Sequence, residues 1–396
     1  MEVIPTLRNI IRKQLISPIQ EFIKDSRAVG ITLLACTILS LILANSSVSE
    51  NYIQLIETEF HFPSWLHLPH SILHWINDAL MALFFFLVGM EIKRELLIGE
   101  LSSVKKAALP IAAALGGMVV PAFIYIALNA GTTHQAGWGI PMATDIAFSL
   151  GVASLLGARV PVTLKIFLMA LAIIDDLGAI LVIAVFYGGD ISWTWLLVAA
   201  AVLAIIWIIH RFRYYRWWII VFGGILLWYC IFNSGIHATI AGVLIAFLVP
   251  LEKLGDYEHN LHDPVNFIIL PLFALANTAI ILPDNMGAAL GTTLSWGVLA
   301  GLVLGKPLGI TIFSWATIQS KLGEMPGGTN WTQLIGMGAL AGIGFTMSIF
   351  ITMLAFNDLN QQNIAKLAIL IGAIVSIILG LLLLYRGSKQ IKKSSA

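Results

Sequence analysis

Leu171-Ala-Ile-Ile-Asp-Asp-Leu-Gly-Ala-Ile180 sets two adjacent carboxylates in the middle of an apolar run. Between Ile166 and Gly189 no other charge interrupts it. A run of this length matches the roughly 20 residues that a bilayer-spanning helix needs. Ionisable groups at such depth cost several kcal/mol unless they face water or a partner, and that makes them functional candidates. The fold and the chemistry both follow from this pair and its surroundings.

The 396 residues hold only 22 Lys and Arg and 21 Asp and Glu, or 11% charged. An ordinary soluble domain has about 25%. Hydrophobic residues make up 59%, and the mean hydropathy is +0.91. So few charges cannot cover a soluble surface, which excludes a soluble enzyme and a disordered chain. A net charge of +1 lacks the concentrated basic surface of a nucleic-acid binder. Residues 1–27 carry Arg8, Arg12, Lys13, Lys24 and Arg27 with no long apolar stretch, so they are not a signal peptide. Ile10, Ile11, Leu15, Ile19 and Ile23 fall near helical spacing and predict an amphipathic helix before the first span. Cys36 and Cys230 read as buried small hydrophobes, not as a disulfide framework.

Hydropathy predicts an all-α membrane protein with twelve spans, near 28–47, 71–92, 107–128, 138–156, 162–188, 194–210, 217–232, 236–250, 265–283, 294–318, 333–355 and 364–385. All of the 22 basic residues except Lys306, inside a span, and Lys366 fall on one set of ends and loops. The positive-inside rule makes that set cytoplasmic, with both termini inside. The longest connections are 48–70, outside, and 93–106 and 251–264, inside. Glu50–His61 predicts a small hairpin or a short helix, where a second protomer could dock.

The intramembrane charges are Asp78, Asp145, Asp175, Asp176 and Lys306. Asp175 and Lys306 stand at the middle of their spans, and Asp145 stands close to the middle of its own. Neighbours on a helix point about 100° apart, so Asp175 and Asp176 border one cavity from two directions rather than stacking. Burial and a neighbouring negative charge both favour a protonated carboxyl. At least one of the pair is expected to hold a proton near neutral pH, and the two titrate as a coupled system. Carboxylate oxygens are also what hard cations prefer. Protons and a small cation would compete for the same oxygens, and that competition is the minimum machinery of exchange. Lys306 must pair with a carboxylate or lose its proton; a proton carrier and a fixed counter-charge both remain open.

Two spans look broken. Gly137-Trp-Gly-Ile-Pro141-Met-Ala-Thr-Asp145 and Gly336-Met-Gly-Ala-Leu-Ala-Gly-Ile-Gly-Phe-Thr346 both weaken the helical backbone near mid-membrane. Such breaks expose backbone groups and are tolerated only beside a cavity. The half-helix N-termini would be partly positive and the C-termini partly negative, which suits Asp145 to the first and Lys306 to the second. Ile146-Ala-Phe-Ser-Leu150 resembles Ile343-Gly-Phe-Thr-Met347. These spans cross in opposite senses, each second in a three-helix group, as an inverted repeat requires.

Met142-Ala-Thr-Asp-Ile-Ala-Phe-Ser-Leu-Gly151, Leu164 to Ile180 and Leu304-Gly-Lys-Pro-Leu-Gly309 closely resemble the NhaA family of bacterial sodium/proton antiporters. Asn77 to Gly89, Glu91-Ile-Lys-Arg-Glu95 and Ser234-Gly-Ile-His-Ala-Thr-Ile-Ala-Gly242 extend the likeness, which runs from about residue 10 to 385. The resemblance implies twelve helices with the fourth and eleventh broken and crossing. It makes 107–188 and 294–385 the core bundle and 28–92 and 194–283 the interface helices. It implies that Asp175 and Asp176 bind Na⁺ or Li⁺ and exchange it for H⁺, with alkaline activation; because two carboxylates can release more than one proton per cation, the exchange is expected to be electrogenic. It places charge compensation at Asp145 and Lys306, with Lys306 also a partner of Asp175 and Thr144 an added oxygen. It locates the pH response at Glu91, Arg94, Glu95, Glu258, His259 and His262, and matches His237 without giving it a role. It further implies an inner-membrane homodimer and no cofactor. An intramembrane aspartyl protease needs two Asp on different helices sharing one water, whereas Asp175 and Asp176 are consecutive and no Gly-x-Gly-Asp segment occurs; a channel needs a filter-like repeat, and none is present. A sodium symporter for an organic solute would need an added polar pocket.

Overall fold

The computed structural model describes residues 17–283 and 285–394, and among them the only extended pairing is one antiparallel bridge between Glu59 and Ser71. Everything else regular is helical. In chain order the larger helices are α1 Ser17–Ala44, α2 Ser49–Glu57, α3 Ile72–Leu97, α4 Val104–Asn129, α5 Ile146–Leu155, α6 Val162–Phe186, α7 Trp193–Arg211, α8 Trp217–Phe232 and α9 Ile240–Leu248. Then follow α10 Leu251–Pro264, α11 Leu270–Asn277, α12 Met286–Leu290, α13 Thr293–Gln319, α14 Trp331–Ala341, α15 Phe345–Ala355 and α16 Leu359–Ser394.

Among the described residues seven helices are long and apolar enough to cross a membrane. The count rises to nine if each of two bent pairs is one crossing. The twelve expected spans are therefore not all matched by one long helix. Helix α8 has 16 residues and α9 only 9. Expected span 265–283 is a π-helical turn, Val265–Ile269, then α11, then non-helical backbone from Thr278. Hydropathy registers apolar length but not hydrogen-bond register, so these irregularities leave no mark in it.

Other expectations change in detail. Connection 251–264 is not a loop: α10 runs through the π turn directly into α11. Residues 17–26 run into the first span as one helix, so no separate helix precedes it there; Ile10, Ile11 and Leu15 lie outside the described residues. Cys36 is half-buried, not buried, while Cys230 is buried. Of the two forms open for Glu50–His61, the helix is found, as α2, and the bridge at Glu59 closes the loop after it.

Small residues set how the site is assembled. Helices α4 and α13 approach so closely that a Cβ on Gly116 would lie 2.3 Å from the Gly309 carbonyl oxygen, and one on Gly309 would lie 2.0 Å from that of Gly116. Only glycine permits that contact, the usual device where lipid gives helices no hydrophobic reason to associate. The approach carries Lys306, three residues before Gly309, into the interior, where it is 0% exposed.

Candidate functional site

Local chemistry dictates the first break. Pro141 has no N–H to continue a helix. The backbone runs as a 3₁₀ segment, Gln135–Met142, turns at Ala143 and restarts as α5 with a 42° bend. Asp145 is the N-cap of α5: its Oδ1 accepts the Phe148 N–H at 2.9 Å. An Asp there satisfies donors that the first helical turn leaves unpaired.

The second break joins α14 to α15 with a 43° bend. Helix α15 has no cap of its own. It borrows Asp145, whose Oδ2 accepts the Thr346 hydroxyl at 2.6 Å and the Thr346 N–H at 3.3 Å. One carboxylate thus meets the partly positive ends of two half-helices. The Asp145 N–H donates to the Ile343 carbonyl at 2.7 Å, the Ser149 hydroxyl to Leu340 O at 2.8 Å, and the Ser348 hydroxyl to Ile140 O at 2.7 Å. The similar pentapeptides meet face to face, with the Phe148 and Phe345 ring centroids 5.5 Å apart.

Asp175 and Asp176 come to this joint from α6. They are 1% and 2% exposed. The Lys306 ammonium forms an ion pair with Asp175 Oδ2 and donates to the Thr144 hydroxyl at 2.7 Å. Thr144 Oγ1 lies 2.8 Å from Asp175 Oδ2 and 2.9 Å from Ala341 O. It has one proton, so it serves one of those acceptors at a time. Lys306 therefore bonds Asp175 and Thr144 rather than a half-helix carbonyl. The Oδ1 atoms of Asp175 and Asp176 are both buried without a hydrogen-bond partner. An unsatisfied buried carboxylate oxygen is costly, and in a native site it calls for an explanation such as an ion or water. The donor set is oxygen only, which suits a hard cation.

The remaining candidates named from the sequence divide. Helix α10 buries Leu254 and Glu258 on its face toward α3. Arg94 pairs with Glu258 at 2.5 Å and with Glu95 at 3.5 Å. Burial pushes the Glu258 carboxyl up from its usual range, against the opposing pull of the Arg94 guanidinium. Glu91 is half-buried on the same helix as Arg94. His259 is exposed and outside this cluster, and His262 lies 3.6 Å from Asp263. Asp78 is half-buried in a π-helical turn, Trp75–Leu80, away from the aspartate pair's hydrogen-bond network. Its neighbour Asn77 makes a reciprocal amide pair with Asn277 at 2.8 and 3.2 Å. His237 is half-buried in the turn-rich stretch between α8 and α9.

Sequence reasoning missed Thr346 as an Asp145 partner, although the internal similarity pairs it with Ser149. It also missed Asn77 and Asn277, for which the only signal was amides inside apolar runs.

The family model described as Na⁺/H⁺ antiporter 1 matches residues 20–384. The chain belongs to this family. It is 48% identical over 378 residues to the Na⁺/H⁺ antiporter NhaA of Cytophaga hutchinsonii, covering 94% of this chain and 96% of that one. It is 48% identical over 365 residues to NhaA 1 of Flavobacterium johnsoniae, covering 91% and 94%. It is 47% identical over 373 residues to an Escherichia coli NhaA, covering 91% and 96%. Family membership and the apolar helices make it a multi-pass bacterial membrane protein, a transporter and not an enzyme.

Proposed function

We propose that the chain exchanges Na⁺, and Li⁺, for protons at Asp175 and Asp176, exporting Na⁺ for sodium and pH homeostasis. The observation that carries this reading is the pair of buried, unpartnered Oδ1 atoms on adjacent aspartates beside the Lys306 pair. A cation entering there takes oxygens from both carboxylates. It displaces the proton of any protonated carboxyl and competes with Lys306 for Asp175. A lysine that loses its buried counter-charge favours its neutral form, so Lys306 releases a proton as well. More than one proton then moves per cation, and exchange is electrogenic. Asp145 compensates the half-helix ends, and Thr144 adds an oxygen.

The full architecture has twelve crossings, both termini cytoplasmic, in the bacterial inner membrane. The broken spans cross within an inverted repeat, with 107–188 and 294–385 as the core and 28–92 and 194–283 as the interface helices of a homodimer. The facing pentapeptides and the shared Asp145 cap support the crossing. Glu91, Arg94, Glu95 and Glu258 make up the alkaline switch, with His259 and His262 flanking it. As pH rises, Glu258 ionises and pairs with Arg94, tying α10 to α3.

The test uses inside-out vesicles with an acidified lumen and a fluorescent pH probe. Added Na⁺ or Li⁺ should dissipate the gradient at alkaline pH, faster under an imposed voltage of the favourable sign. No response between pH 7 and 9 rejects the reading.

A further inference from the structure

The exchange reading leaves the outer arm of the first broken span, Gln135–Met142, without a task. That arm ends just before Thr144 and Asp145. Hydroxyls from other elements hold its carbonyls. The Tyr125 hydroxyl of α4 donates to His134 O at 2.7 Å, at the head of the arm. The Ser348 hydroxyl of α15 donates to Ile140 O at 2.7 Å. Between them the Tyr187 hydroxyl donates to Ala136 O at 2.8 Å and accepts the Gly139 N–H at 3.1 Å. Ala136 and Gly139 have the spacing that a 3₁₀ turn joins directly. The tyrosine oxygen bridges them, a side chain let into a helical ladder.

Gly139 makes room for that bridge: a Cβ there would lie 2.7 Å from the Tyr187 oxygen. Gly137 lies in the same way against the Tyr125 hydroxyl. The glycines that loosen this arm therefore also admit two tyrosines. Trp138, between them, steadies the Tyr187 ring, with centroids 6.4 Å apart and planes 24° from parallel, and meets Phe186 edge-on at 5.1 Å. Tyr187 directly follows α6, and its N–H closes the last turn on Ile183 O at 3.2 Å. The same helix carries Asp175 and Asp176 about three turns earlier. The arm and α6 thus touch at two levels, Thr144 with Asp175 in the interior and the Tyr187 bridge at the outer end. A cation that takes oxygens from both elements binds best when their register is set beforehand.

We propose that Tyr187 is a positioning residue for ion exchange: its hydroxyl fixes the register of the arm against α6 and so holds Thr144 to Asp175. This rests on the exchange reading of that site. Without the hydroxyl, the Ala136 carbonyl and the buried Gly139 N–H lose their bridge, and the cation itself must bring the two sets of oxygens together. The consequence is weaker cation binding, not slower transfer of a bound cation.

The test titrates Na⁺ into inside-out vesicles at alkaline pH and reads two quantities, the half-saturating Na⁺ concentration and the maximum rate. Thermal melts of the purified full-length variants check folding. Tyr187→Phe keeps the stacked ring; it should raise half-saturating Na⁺ about five-fold, the worth of one net hydrogen bond. Its maximum rate should stay within about two-fold of wild type, the signature of lost binding. Gly139→Ala, which drives a methyl group against the same oxygen, should give a similar rise. The double variant Gly139→Ala/Tyr187→Phe should be no worse than either alone, because both act through one atom. Tyr229→Phe removes another hydroxyl, the donor to Leu66 O at 3.0 Å, and should leave half-saturation unchanged. Unchanged half-saturation in Tyr187→Phe overturns the proposal. So does a fall in maximum rate or folded yield alone, an additive rise in the double variant, or an equal rise in Tyr229→Phe. A wild type that ignores Na⁺ is a different failure: it rejects the exchange reading, and this inference with it.

Discussion

Two clusters of opposite charge lie on this chain, and they differ in completeness. In the Arg94 cluster, Glu258 and Glu95 share one guanidinium and Glu95 also accepts the Glu100 N–H. In the Asp175 cluster, a lone ammonium and a hydroxyl face two carboxylates, and two Oδ1 atoms are left bare. The first set leaves one buried oxygen, Glu258 Oε1, without a partner, and in the proposed switch it responds to pH by making or losing a pair. The second leaves two buried oxygens bare on adjacent carboxylates, and in the proposed exchange a cation completes it.

The most severe change should come from breaking the incomplete cluster. Asp175→Ala or Asp176→Ala should abolish Na⁺-driven dissipation of the vesicle pH gradient while the protein still inserts. Full retained activity in either would place the cargo elsewhere. Next is Lys306→Ala, which strands Asp175 as a buried unpaired charge; removing one partner of such a pair costs about 3–5 kcal/mol. A marked fall in melting temperature should follow, and Lys306→Arg should recover most of it. Thr346→Val removes a hydroxyl from the Asp145 carboxylate; a hydrogen bond to a charged group is worth roughly 1.5–3 kcal/mol. Thermal melts should resolve that loss, and none would show that the two half-helices do not depend on Asp145.

The mildest change in stability should come from the Arg94 cluster. Glu258 is displaced upward by burial, so the folded chain keeps that proton to higher pH than the unfolded one. Stability from this group therefore declines as pH rises through the window above the ordinary Glu range, while the Arg94 pair is gained. Glu258→Gln should flatten the pH profile of exchange and leave its maximum rate within about two-fold, since it lies outside the ion site. An unchanged profile would remove Glu258 from the switch.

The candidate ion site was far more legible than the connections. Asp145, Asp175, Asp176 and Lys306 stand out because each violates the apolar rule of its span, and each violation is expensive. The breaks were legible too, since Pro141 and the glycines 336–344 act on the backbone locally. The π-helical turns at Trp75–Leu80 and Val265–Ile269 were not, because a change of hydrogen-bond register needs no special residue type. The Asn77–Asn277 pair and the Arg94–Glu258 pair join residues 200 and 164 positions apart, and only packing brings them together.

The joint between the broken helices also constrains motion. Asp145, Ser149 and Ser348 each reach across to the opposite break, and a single carboxylate serves the ends of both α5 and α15. Neither half can swing alone without stranding that carboxylate. The two breaks are therefore tied into one hub, and in the proposed exchange any motion at one arm would carry the other with it.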